Sequence, residues 1–350
     1  SEFFPRCQSV LNVFGTDTVI EKYRAREYNF RMKMTLLGTG TSHGIPCIAC
    51  NCAVCRSEDP HDKRLRCSAY VTNENPDGTV SSLLVDIGPE FRIQALRSGI
   101  KAVDAVLLTH SHADHLHGLD DIRIFSHTLG SDRLSELVRS NPENAGIDPK
   151  LLAQSGKRGI SLYANADTVR DVKKRFDYIF RSDTQIGGGK PKLELVDCSV
   201  LYGQQPQEFG SMTVIPVPMK HGELNATGWL FSVNAEDGIV HSIAYLTDCS
   251  FIPESSLNLI KEKGGHIDHC VIDALRVKPH STHFGFRQAM EVAQKLCARH
   301  TWFIHICHLM SHEEIKAYAS EQLKDFPVLN KIVSEGGSVG PAYDCLELSV

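Results

Sequence analysis

Six consecutive residues, His110-Ser111-His112-Ala113-Asp114-His115, place four metal-ligand side chains at the end of an apolar run from Ala105 to Thr109. With 17 histidines in 350 residues, an H-x-H-x-D-H match arises by chance roughly 0.002 times in such a chain. The pattern constrains the fold because its ligands must leave a fixed backbone in set directions. From an extended segment, positions 110 and 112 send two imidazoles to one side. A turn through 113–115 then carries Asp114 and His115 toward a second position, so one short segment can serve two ions. Each ion still needs ligands from elsewhere in the chain to close its shell.

Other apolar runs supply candidates in the same way. Leu83-Leu84-Val85 leads to Asp86, Thr213 to Val217 approaches His221, and Ile243 to Thr247 leads to Asp248. His269 to Ile272 leads to Asp273, and Trp302 to Ile304 leads to His305. Runs of four to six β-branched and apolar residues read as buried strands, and strand ends hand side chains to a rigidly held site. Ala69–Thr72 and Val80–Val85 flank Asn75-Pro76-Asp77-Gly78 and should form a hairpin. Helices are expected over 91–98, closed by Gly99, over 167–180 and over 286–299. Glu21–Arg26 could form a short helix. Residues 1–33 are read as an N-terminal extension, in part carried over from expression, and 34–350 as the folded domain. Gly130, Pro142, Gly146, Pro149 and Gly156 mark 127–160 as an insertion.

Composition narrows the function classes. Net charge is -5, from 37 Lys+Arg against 42 Asp+Glu, so a global positive field for gripping nucleic acid is absent. No stretch approaches the ~20 apolar residues of a membrane span, and no apolar signal core is seen at the start. Twelve cysteines are present, four of them within nine residues at Cys47, Cys50, Cys52 and Cys55. That density favours a shared ion over four long-range bridges. The thiols are accordingly read as reduced and the compartment as cytoplasmic. The other cysteines are scattered and read as core residues. Lys173-Lys174-Arg175 reads as a solvated helix face, and Asp62-Lys63-Arg64-Leu65-Arg66 could help hold a phosphate.

The order of these residues carries a resemblance. Leu37-Gly38-Thr39-Gly40-Thr41-Ser42, Gly44-Ile45-Pro46 with the cysteine segment, Asp86 to Arg92, and Leu108-Thr109-His110 through Gly118-Leu119-Asp120 resemble the metallo-β-lactamase superfamily. Within it they are most similar to the branch containing phosphoribosyl 1,2-cyclic phosphate phosphodiesterase, related to the tRNA 3′-processing enzymes. The resemblance implies an α/β fold, a four-layer αββα sandwich. It implies two divalent ions, zinc or manganese, one on His110, His112 and His221 and the other on Asp114, His115 and His305. Asp248 would bridge them, Asp114 would also count as catalytic, and Asp86 would orient the ligands from behind. It implies a structural zinc in loop 47–55 on Cys50, Cys52, Cys55 and His308, with a four-cysteine site including Cys47 as the rival. It places His283 as general acid, oriented by Asp273, with His280 as its rival. The expected activity is phosphodiester hydrolysis by a hydroxide held between the two metals. The substrate would be a small cyclic phosphate or nucleotide-like diester. A tRNA 3′-processing endoribonuclease, a thioester or lactam hydrolase, and a scaffold with vestigial metals remain the alternatives. The oligomeric state stays open, homodimers being frequent in the group.

Overall fold

The computed structural model describes residues 32–126, 159–181, 190–202, 206–235 and 238–350. Thus 127–158 of the expected insertion and the expected helix Glu21–Arg26 lie outside the described residues. Ile160, placed in the insertion, instead opens a strand, and Met32 and Lys33, placed in the extension, open another.

Seven strands form one sheet: β1 Met32–Gly38, β2 Ser68–Glu74, β3 Val80–Val85, β4 Ala105–Leu107, β5 Ile160–Ala164, β6 Leu193–Asp197 and β14 Glu347–Ser349. Seven form the other: β7 Gln207–Phe209, β8 Met212–His221, β9 Leu224–Asn234, β10 Val240–Leu246, β11 His266–Asp273, β12 His300–Ile304 and β13 Ser338–Pro341. The spatial orders are β14-β1-β2-β3-β4-β5-β6 and β13-β12-β11-β10-β9-β8-β7. Each sheet is antiparallel on one side and parallel on the other, from β3 to β6 and from β10 to β13. The expected hairpin is the antiparallel β2–β3 pair, with Ala69 opposite Val85.

Side-chain alternation sorts these strands into layers. Leu83, Val85, Ala105 and Leu107 pack with Trp229, Phe231, Tyr245 and Val271 in a core between the two sheets. The residues between them, Leu84 and Val106, face outward against Phe91, Leu116 and Ile122. On the other sheet Ala244, Leu246, Cys270 and Ile272 face outward onto Leu257, Met290, Ala293 and Leu329. These last belong to helices Glu254–Gly264, Phe286–Leu296 and Pro327–Ser334. Strands covered on both faces read as unbroken apolar runs, which is why β3, β4, β10 and β11 were legible. The result is the expected αββα sandwich.

Helix Phe91–Ser98 has the expected bounds and ends on Gly99 at φ 66°. The other two helices differ from expectation. The helix expected over 167–180 breaks at Phe176 into Ala166–Arg175 and Asp177–Phe180. The helix expected to reach 299 stops at Leu296, because Cys297 turns left-handed at φ 53° and the chain must enter β12. Cys67, Cys198, Cys249 and Cys270 are buried, whereas Cys297 is exposed. Cys345 is disulfide-bonded, so the reading of every thiol as reduced fails there. Among the described residues no helix is long and apolar enough to cross a membrane.

Candidate metal centre

Asp86, His110, His221, Asp248, Asp273 and His305 all lie at or just beyond the C-terminal ends of β3, β4, β8, β10, β11 and β12. Those ends point the same way, so side chains hundreds of residues apart converge. Three of the six, Asp86, Asp248 and His305, have φ of 56°, 54° and 58°. Left-handed backbone at non-glycine residues costs of order 1 kcal/mol or more and concentrates at functional sites. Here it turns each side chain off its strand axis into the centre.

The His110–His115 segment forms the expected turn as a short helix, Ala113–Leu116. It packs against the strand end at Asp86 through Ile87 N–H to His115 O at 2.8 Å and Gly118 N–H to Ile87 O at 2.9 Å. Gly88 and Gly118 permit this approach. A Cβ at Gly88 would stand 2.1 Å from Asp114 O, and one at Gly118 2.0 Å from Gly88 O. Side chains larger than hydrogen are excluded there.

Ligand-type atoms of His110, His112 and His221 lie within 4.8 Å of one another, as do those of Asp114, His115 and His305 and those of His110, His115 and Asp248. Asp248 touches both groups. Its Oδ2 is 3.2 Å from His115 Nε2, and its Oδ1 is 3.2 Å from His305 Nε2 and 4.0 Å from His110 Nε2. Asp114 Oδ2 is 3.2 Å from His115 Nε2. All seven residues expected around two ions are therefore brought together.

Three of the imidazoles, His110, His115 and His221, are held by their far nitrogens. His115 Nδ1–H donates to Asp86 Oδ2 at 2.7 Å, and His221 Nδ1–H to Thr282 O at 2.7 Å. Thr109 donates its hydroxyl to Asp86, and its Oγ1 is 3.0 Å from His110 Nδ1. This arrangement leaves Nε2 of each ring with a lone pair aimed inward. His110 Nε2, His115 Nε2 and both nitrogens of His305 are buried without a hydrogen-bond partner. Orphaned buried nitrogens are costly unless something satisfies them, and divalent ions fit that donor set.

Electrostatics agree. Burial lowers His221 to about 4 and His110 well below its usual range, so both are neutral at pH 7, the form an ion requires. Burial opposes charge on His115, yet Asp248, Asp86 and Asp114 outweigh it and raise His115 well above its usual range. Burial likewise works against the Asp114 anion, but His115 and His305 hold that carboxyl below its usual range. Asp86→Asn, which keeps the shape but weakens the grip on His115, should lower metal affinity about 10–100-fold. A chelator-competition titration reads this, and unchanged affinity would show that Asp86 does not orient the ligand.

His283 and Asp273 also meet at the centre. His283 Nδ1–H donates to Asp273 Oδ2 at 2.7 Å, and the same oxygen accepts from Cys249 N–H at 2.8 Å. The His283 ring stacks on His305 at 4.3 Å between centroids, and a His283 nitrogen lies within 4.8 Å of ligand atoms of His221 and Asp248. His280 stands farther out, exposed, with its Nδ1 taken up by Thr282.

The cysteine loop forms a second cluster. His308 Nδ1 is 3.3, 3.4 and 3.5 Å from the sulfurs of Cys50, Cys52 and Cys55. Tetrahedral zinc with bonds of about 2.3 Å to sulfur and 2.0–2.1 Å to nitrogen separates such atoms by roughly 3.5 Å. Cys47, the rival ligand, turns its thiol to Gly44 O at 3.2 Å. The Cys55 N–H and His308 pull Cys52 down to about 6, whereas burial pushes Cys55 up to about 12.

Arg64 and Arg66, in the segment that could have helped hold a phosphate, are not free for one. Arg64 is buried and donates to Thr39 Oγ1 and Ala342 O, and Arg66 is paired with Glu90. The sequence reading missed Thr109 and Thr247, whose hydroxyls bond Asp86 and Asp248. The signal was present, because Leu108-Thr109-His110 and Leu246-Thr247-Asp248 share one pattern at two strand ends.

The family model described as a beta-lactamase superfamily domain matches residues 82–151 and 145–306, more than half of the chain. A crystal structure of a diphosphatase from the PhnP family is 36% identical, covers 91% of this chain and 97% of its own, and superposes with a TM-score of 0.65. Zn(2+)-bound PqqB from Methylobacterium extorquens shares the fold at 16% identity and a TM-score of 0.57, over 91% of this chain and 100% of its own. The short form of human tRNase Z shares it at 16% identity and 0.51, over 91% and 99%. An octanoyltransferase of Porphyromonas gingivalis is 31% identical over 278 residues, which is 79% of this chain and 46% of that protein. The chain thus spans about half the length of that relative. With its two-sheet sandwich and its histidine–aspartate centre, the chain belongs to the metallo-β-lactamase superfamily, in the PhnP branch.

Proposed function

We propose that the protein is a phosphodiesterase for a small phosphodiester, a cyclic phosphate or nucleotide-like diester, working with two divalent ions. His110, His112 and His221 would hold one ion, and Asp114, His115 and His305 the other, with Asp248 between them. Bound there, the ions supply charge neutralisation and an activated water. A third cation, zinc on Cys50, Cys52, Cys55 and His308, would be structural, because four protein ligands leave no open position.

The observation that carries this reading is the His283–Asp273 pair. Expelling an alkoxide from phosphorus requires a proton at the leaving oxygen. His283 is 9% exposed, and its Nδ1 is committed to a fully buried carboxylate at 2.7 Å. Its Nε2 is left to carry that proton beside the ion ligands, and Asp273 fixes the tautomer. The identity of 36% to a PhnP-family diphosphatase supports phosphorus as the electrophile.

Purified protein loaded with zinc or manganese should hydrolyse bis(p-nitrophenyl) phosphate. His283→Ala should lower kcat about 10²–10⁴-fold with unchanged metal content. Normal turnover by this variant would remove the acid assignment, and wild-type inactivity on all cyclic and linear diesters would remove the phosphodiesterase reading.

A further inference from the structure

Helix Ala166–Arg175 lies outside the centre, yet it is bonded to both chain segments that bring in His110, His112 and His221. At its start Asn165 caps the helix by accepting from Thr168 N–H at 3.0 Å, and the Asn165 amide donates to Asn225 O at 3.1 Å and Thr227 Oγ1 at 3.3 Å. Asp167 accepts from the Asn225 amide at 2.8 Å. Asn225 stands opposite Lys220 in the β8–β9 pair, one step from His221 opposite Leu224. Toward the other end of the helix, Asp171 Oδ2 accepts the Ser111 hydroxyl at 2.5 Å, and the Arg175 guanidinium donates to Ser111 O. Val172, between those two, is fully buried in the outer core with Leu116 and Leu162. The helix is thus a short rod fixed at one end to the His221 hairpin and at the other to the His110–His115 segment.

Ser111 is gripped at both of its polar groups, and its carbonyl belongs to the peptide that leads into His112. Holding that carbonyl holds the peptide plane, and with it the direction in which the His112 side chain leaves the backbone. His112 is the ligand with most need of this. His110 and His221 are buried, and each is hydrogen-bonded at Nδ1. His112 is exposed, and no hydrogen bond among the described residues reaches its ring. The ring only leans edge-on against His110 and His221, at 4.5 and 5.0 Å between centroids.

On the two-ion reading above, we propose that Asp171 and Arg175 are positioning residues for the ion of His110, His112 and His221. Through Ser111 they aim His112, and the helix braces it against the hairpin that carries His221. The sign of the effect separates this role from plain electrostatics. A guanidinium near a bound cation repels it, so by charge alone Arg175→Ala would tighten ion binding. Loss of aim weakens it. General stability does not enter either, because Asp171 and Arg175 approach each other at 3.6 Å with side chains 38% exposed, and such i,i+4 surface pairs contribute little to folding.

The test is a chelator-competition titration of zinc on the full chain, which reads the two ions of the centre without turnover. Arg175→Ala and Asp171→Ala should each weaken one of these ions about tenfold or more and leave the other within about twofold. Saturated with zinc, both variants should melt within about 2 °C of wild type. Arg175→Lys and Asp171→Asn, which keep a donor and an acceptor for Ser111, should restore most of the loss. In a His112→Ala background, Arg175→Ala should change affinity by less than about twofold, because the ligand through which it acts is gone. Unchanged or tighter binding in Arg175→Ala, or an equal loss when His112 is absent, would overturn the proposal. A wild type that takes up fewer than two ions at the centre would instead strike the two-ion reading, and this inference with it.

Discussion

Asp248→Asn should leave the centre holding at most one ion and should lower kcat/KM at least about 10³-fold. The carboxylate reaches His115 and His305 at 3.2 Å and His110 at 4.0 Å, so it stands between the two ligand groups. An amide of the same size keeps the shape, loses the negative charge and presents an N–H₂ to nitrogens that must keep their lone pairs. The ions contribute several kcal/mol of transition-state stabilisation, and about 4 kcal/mol corresponds to a thousandfold. Elemental analysis after gel filtration should find the loss confined to the centre, with zinc at Cys50, Cys52, Cys55 and His308 retained. Full ion content together with normal turnover would show that Asp248 does not join the two groups.

Removing the cysteine-bound ion should act on stability first. Cys52→Ser should lose one zinc per chain and lower the melting temperature by roughly 5–10 °C. The cluster ties residues 50–55 to His308, more than 250 positions away, and His308 lies three residues beyond His305. Slack in that tie therefore reaches the centre, and activity should fall together with stability. Cys47→Ser should keep the zinc, because a serine hydroxyl can still donate to Gly44 O, 3.2 Å from the thiol it replaces. Zinc analysis alongside calorimetry checks both. Zinc retained in Cys52→Ser, or lost in Cys47→Ser, would reassign the fourth ligand.

The contrast between these positions shows where reading the chain stops. Cys47, Cys50, Cys52 and Cys55 are equivalent as spacing, and only the approach of His308 from β12 separates the three thiols that face its ring from the one turned to Gly44. Arg64 and Arg66 look alike as cations beside a loop. Yet Arg64 is sealed under Thr39 and Ala342, and Arg66 is spent on Glu90. Strands β5, β6 and β9 and helices Glu254–Gly264, His312–Gln322 and Pro327–Ser334 were not anticipated. Their patterns are weaker than the doubly buried runs of β3, β4, β10 and β11.

Local rules were enough for the rest. Spacing within His110–His115 set two directions for its ligands, and apolar runs ending in Asp or His marked the strand ends, because both depend only on near neighbours along the chain. What needed the folded molecule was convergence: Asp248 standing between two ligand groups, and His283 paired with Asp273. Such distances are fixed by how two sheets pack face to face, a long-range consequence of burial that no stretch of sequence carries alone.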